Sequence, residues 1–105
     1  MFDRAMSCRR DGDVLVVAGT IDEHRITDLD DEVSKYLAEC PSGTIDVGAV
    51  EFLPSAAIGV LAMAWSRAIQ RGDGLTLVAP PGTHAATTLT ISGLPVSATR
   101  PTSGD

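Results

Sequence analysis

Long apolar runs are scarce in this chain. The longest, Ala56 to Trp65, is too short to cross a bilayer, which argues against membrane insertion. The N-terminus carries Asp3, Arg4, Arg9 and Arg10 where a signal peptide would place an apolar core. The expected setting is therefore a soluble protein of the cytoplasm. Positive charge is also scarce: eight basic residues against fourteen acidic give a net charge of −6. With those cations scattered, a phosphate backbone is repelled rather than steered in, so nucleic acid is not expected as a direct partner. The two cysteines, Cys8 and Cys40, lack C-x-x-C spacing, so neither a zinc site nor a disulfide framework follows. They are expected as buried or half-buried thiols in a reducing compartment, with a regulatory disulfide left open. A length of 105 residues, 44% of them hydrophobic, suits one domain with a modest core over about residues 5–100 and leaves no room for a second.

What is present is an alternation of apolar strands and amphipathic helices. Asp11-Gly12-Asp13 signals a turn that closes a hairpin between a strand near Ala5 to Arg10 and one at Val14 to Ala18. Val14 to Val17 is apolar on both faces, as in an interior strand covered on two sides. After a polar turn from Thr20 to Arg25, Ile26, Leu29, Val33, Leu37 and Cys40 fall at helical steps and define one face. Asp28, Asp30, Asp31 and Glu32 crowd the start of that helix. They are read as favourable charges at its positive end rather than as metal ligands. Pro41-Ser42-Gly43 stops the helix, Thr44 to Val47 forms a strand, and Gly48 loosens the approach to the next turn.

A second helix follows, with Ile58, Leu61, Trp65, Ala68 and Ile69 on one side, Arg67 and Arg71 at its negative end and Gly72 as its stop. Leu75 to Val78 is another strand, Ala79-Pro80-Pro81-Gly82 a rigid loop, and Thr83 the cap of a short helix ending by Gly93. Val96 to Arg100 is read as a last edge strand and Pro101 to Asp105 as a flexible tail. This order predicts an α/β fold: a mixed, mostly parallel sheet of about four to five strands with about three to four helices, joined by right-handed crossovers. The loops that follow the strands then emerge at one edge, which gathers Asp22, Ser55 and Pro80 to His84. Ligands and partners of such sheets favour that edge.

Residues Phe52 to Leu61 are the stretch around which the chain is organised. They form a strand-to-helix turn in which Pro54 keeps the entering chain extended and Ser55 is expected to cap the second helix. The decamer Phe52-Leu53-Pro54-Ser55-Ala56-Ala57-Ile58-Gly59-Val60-Leu61 resembles the phosphorylation-site turn of STAS domains in anti-sigma factor antagonists. That pattern runs apolar-apolar-Asp-Ser-(Ser, Thr or Ala)-Gly-apolar-Gly-apolar-apolar. Pro54 stands in place of the acid and Ala57 in place of the first Gly. Ala18-Gly19-Thr20-Ile21-Asp22, Thr44-Ile45-Asp46-Val47, Gly72 to Val78 and Leu89 to Leu94 extend the resemblance in order along the chain.

The resemblance implies a single STAS-type domain whose unphosphorylated form binds an anti-sigma factor of the kinase-like ATPase type and so frees a sigma factor, with Ser55 as phosphoacceptor. The expected partner surface is Asp22, Glu23 and His24 together with Pro54, Ser55, Ala56, Ala57, Ile58 and Gly59. Asp22 has an alternative role as cap of its own turn. No cofactor or metal is implied, and homodimerisation is left open. Two other functions are weighed. Hydrolase chemistry at Ser55, with His24 or His84 as base, is disfavoured because Leu53-Pro54-Ser55-Ala56-Ala57 is not Gly-x-Ser-x-Gly. A STAS accessory or scaffold subunit, of a stressosome-like or lipid-transport complex without phosphorylation switching, is favoured by Pro54.

Overall fold

A computed structural model of the protein describes residues 5–100. The expected tail at Pro101 to Asp105 and the first four residues lie outside them. The apolar stretches that alternate with turn signals become four strands that lie side by side in chain order. Strands β1 (Ser7–Asp11) and β2 (Val14–Thr20) pair antiparallel, with Asp11 opposite Val14. The two-residue link between them places Gly12 at φ 61°, a backbone angle that glycine adopts without penalty. β3 (Thr44–Phe52) and β4 (Thr76–Val78) continue the sheet in parallel. The sheet is thus mixed and mostly parallel, as the order of elements predicts.

The helices supply one cover. α1 (Ile26–Glu39) follows a short 3-10 turn at Glu23–Arg25. α2 (Ser55–Arg71) and α3 (His84–Ile91) follow β3 and β4. Leu15 and Val17 of β2, Ile45 and Val47 of β3 and Leu77 of β4 join Leu29, Val33, Leu61, Ala68 and Leu89 in one core. The opposite face of the sheet carries Val16 and Val78, also buried, in the same cross-strand row as Asp46. Arg100 lies across that row: its Nε donates to Asp46 Oδ2 at 2.9 Å and its Nη1 to Asp11 Oδ2 at 2.8 Å. The interior strand is therefore covered on both faces, and the C-terminal segment contributes to the second.

Some expectations on faces change. In α1 the buried side chains are Leu29, Val33, Tyr36 and Leu37, while Ile26 and Cys40 are half-buried at its ends. Tyr36 is buried because its hydroxyl has two backbone partners: it donates to the Asp13 carbonyl and accepts from Thr44 N–H. In α2 the buried stripe is Ala57, Leu61, Ala64 and Ala68. Ile69 lies one residue round from it and is exposed, so it does not belong to the core face. Trp65 packs half-buried against the core. Gly72 ends α2 at φ 80°. Asp73 N–H bonds back to Ala68 O and Gly72 N–H to Ile69 O, the paired bonds that close a helix through a left-handed residue.

β3 runs on to Phe52, beyond the expected Val47. Gly48 sits inside it, and a Cβ there would come within 2.6 Å of Pro80 Cδ. That absent side chain lets the Pro80 loop pass close to β3. The expected strand from Val96 to Arg100 is reduced to one bridge, Val78 with Ser97. Ser97 exchanges two bonds with Leu77 and Ala79, after which the chain leaves the edge and Arg100 reaches its two aspartates.

Candidate functional site

β2 and β3 end side by side, since Thr20 pairs with Phe52 and Thr20 Oγ1 donates to Glu51 Oε1 at 3.5 Å. The chain that leaves β2 enters the loop holding Asp22, Glu23 and His24, and the chain that leaves β3 enters Leu53-Pro54-Ser55. The loop after β4 leads to α3, whose first residue, His84, stacks on Phe52 with ring centroids 5.0 Å apart. Three loops thus meet at one edge, the carboxyl end of the parallel strands.

The turn itself differs from expectation by one residue. Pro54, at φ −70° and ψ 162°, occupies the cap position of α2, and its carbonyl accepts the first helical bond from Ile58 N–H at 3.0 Å. Ser55 is the first helical residue and makes no side-chain cap. The proline ring fixes φ and the extended ψ turns its carbonyl into the helix, so the helix starts with no hydroxyl or carboxylate over its first N–H groups. By the alignment of the decamer, the acid that Pro54 replaces would occupy this cap position. Ser55 is exposed, and its hydroxyl has no hydrogen-bond partner among the described residues. It is therefore accessible, at the positive end of a 17-residue helix.

The neighbours divide by orientation. Ala56 and Gly59 are exposed and Pro54 and Ile58 half-exposed, so they are available to a partner. Ala57 is fully buried, with its methyl in the core beside Leu53, and it drops out of any contact surface. Asp22, Glu23 and His24 are exposed. The Asp22 carboxylate accepts from His24 N–H at 2.8 Å and caps the 3-10 turn, so the capping alternative describes its contacts. Phe52, at 52% exposure, belongs to this edge although it was not among the expected partner residues. Its signal was available: an aromatic at the end of a strand, directly before the turn.

His84 Nε2 lies 3.3 Å from Thr88 Oγ1 and its ring on Phe52, so neither contact draws it to Ser55. Among the described residues no grouping of three or more His, Cys, Asp or Glu could hold a metal ion. Of the acids at the start of α1, Asp28 is engaged by Arg25 Nε at 2.9 Å. Cys8 and Cys40 are free thiols. Burial, reinforced by nearby Glu32, pushes the Cys8 thiol above its usual range, which favours its protonated form. Among the described residues no helix is long and apolar enough to cross a membrane.

The family model described as the Mlab STAS domain matches residues 5–96, nearly all of the chain. This chain belongs to the STAS domain family. The STAS domain is also similar to the crystal structure of an anti-sigma factor antagonist from Mycobacterium paratuberculosis. The TM-score is 0.64 at 27% identity, with 90% of this chain and 85% of that one covered.

Proposed function

We propose that this STAS domain is an anti-sigma factor antagonist. In this reading it is a binding module of the cytoplasm, not an enzyme. Its Ser55 edge captures an anti-sigma factor of kinase-like ATPase fold and thereby frees a sigma factor for transcription. The partner surface is Asp22, Glu23, His24, Pro54, Ser55, Ala56, Ile58 and Gly59, with Phe52 added. One observation carries the reading: Ser55 is exposed, with no side-chain hydrogen bond among the described residues, at the N-terminus of α2 on the edge where three loops meet. Similarity to a solved anti-sigma factor antagonist supports the partner class.

Phosphorylation of Ser55 is the proposed switch. A phosphoryl group there adds about −1.5 to −2 charges over a helix N-terminus that tolerates them. The domain stays folded, and a partner shaped for a small neutral hydroxyl meets a hydrated dianion instead. The test is mass spectrometry after incubation with the cognate kinase and ATP, paired with calorimetric titration of the anti-sigma factor. Ser55→Ala keeps full binding and takes up no phosphate, whereas Ser55→Glu binds more weakly. Absence of phosphate on Ser55, together with unchanged affinity of Ser55→Glu, removes the switch. That result leaves the second reading, a STAS accessory or scaffold subunit of a stressosome-like or lipid-transport complex. Pro54 favours it, because it removes the acid beside the acceptor.

A further inference from the structure

Away from the Ser55 edge, α1 and α2 leave an open groove of about 580 Å³ between them. Because β2, β3 and β4 are parallel, both helices return against the strands and run side by side in the same direction. The groove therefore has two chemically different ends: Asp30 near the helix starts, and Arg67 and Arg71 near the end of α2. Its floor between them is apolar, from Val33 and Leu37 of α1 and Val60 and Met63 of α2. Met63 is 54% exposed there, and its flexible side chain is well suited to moulding itself round a ligand.

The charge at the far end is the second observation. Arg67 and Arg71 stand one turn apart on the same side of α2. Arg71 Nε is 3.3 Å from Asp73 Oδ2, but Arg67 forms no ion pair with any described residue. In a chain of net charge −6, an exposed guanidinium with no ion-pair partner among the described residues, beside an apolar channel, is complementary in charge to an anionic head. Gly59, which also lines the groove, adds depth, since no atom lies within 4 Å of where its Cβ would stand.

We propose that this groove binds a single-chain amphiphile with a carboxylate head. The alkyl chain lies along Val33, Leu37, Val60 and Met63, and the head sits between Arg67 and Arg71. Two planar guanidinium forks match the two oxygens of a carboxylate, and Asp30 repels that head from the opposite end, which sets one orientation. The volume falls within the range of small-molecule sites. From Ala56 to Arg67 the wall of α2 extends about 16 Å at 1.5 Å per residue, room for a long chain rather than a compact metabolite. This site uses none of the residues that carry the Ser55 switch except Ala56 and Gly59 at its margin, and its test needs no anti-sigma factor.

The experiment is calorimetric titration of the full chain with dodecanoate, decanoate and 1-dodecanol, each below its aggregation threshold. Dodecanoate is expected to bind one to one and saturably. Decanoate, two methylenes shorter, should bind more weakly by about tenfold. The double variant Arg67→Ala/Arg71→Ala should bring dodecanoate down to the level of the alcohol. Gly59→Leu, which fills the groove from an exposed helical position, should abolish binding while leaving the thermal transition in place. Non-saturable uptake, equal binding of acid and alcohol by the native chain, or indifference to the arginine substitutions overturns the proposal. So does a concentration-dependent dimer that Gly59→Leu dissociates while dodecanoate fails to bind, since a second copy then owns the groove.

Discussion

At the scale of single residues, Pro54 and Tyr36 do work that composition does not announce. Pro54 takes the cap position of α2 without supplying a cap bond, so Ser55 has no capping duty. Ser55→Ala should accordingly shift stability by no more than about 0.5 kcal/mol in thermal unfolding. Pro54→Asp restores the resembled acid at a backbone geometry that aspartate adopts. A cap gain of about 1 kcal/mol is offset by the chain entropy that proline had removed, about 0.4 to 1 kcal/mol. Stability should stay nearly level while phosphoryl transfer to Ser55 by the cognate kinase becomes faster; an unchanged rate assigns the acid no part in acceptor recognition. Tyr36 joins the hairpin turn to the start of β3 through the Asp13 carbonyl and the Thr44 N–H. Burial pushes its pKa above the usual tyrosine range. Tyr36→Phe leaves two backbone groups short of a partner and should cost about 1 to 3 kcal/mol in denaturant unfolding.

At the scale of elements, the first turns of α2 separate core from surface within three residues. Ala57 puts its methyl into the core, and Gly59 faces open space. Ala57→Gly loses a buried methyl and helix propensity together and should destabilise by about 1 to 2 kcal/mol. Gly59→Ala, two residues on, should instead stabilise by about 0.5 to 1 kcal/mol. Equilibrium unfolding of the two variants side by side checks the pair, and a gain from Ala57→Gly would contradict the packing at the start of the helix. The opposite signs follow from the opposite direction of exchange; orientation sets the sizes, since only Ala57 also gives up a buried methyl.

At the scale of the whole molecule, Arg100 ties the end of the described chain to its beginning and middle. Its hydrogen bond and charge hold the Asp11 carboxyl below the usual aspartate range, and it bonds Asp46 in β3 as well. A depressed carboxylate pKa stabilises the folded state above the ordinary value, and that contribution fades as pH falls through the lowered one. Arg100→Gln should therefore lower the melting temperature at neutral pH, and the gap from the native chain should narrow as the pH drops below about 4. A gap that is independent of pH would mean that Arg100 acts through packing alone. The Arg100–Asp11 pair is solvent-exposed, so added salt should shrink the same gap.

The alternation of β-rich stretches and amphipathic helices, the hairpin turn, the stop at Gly72 and the Thr83 cap were all legible because each depends on local periodicity or on one residue's backbone preference. The common edge was legible too, since parallel strands with crossovers have only one carboxyl end. Tyr36 shares the predicted face of α1, three residues from Val33 and four from Cys40, so its burial was legible though unnamed; the meeting of its hydroxyl with backbone groups from two other elements was not. The cap position passed from Ser55 to Pro54 through a one-residue shift that propensity does not resolve. The contact of His84 with Phe52, the reach of Arg100 over Asp46 and the groove between α1 and α2 each join side chains far apart in sequence. Periodicity says which face of a helix is apolar; only packing decides how closely two such faces meet and what they leave open between them.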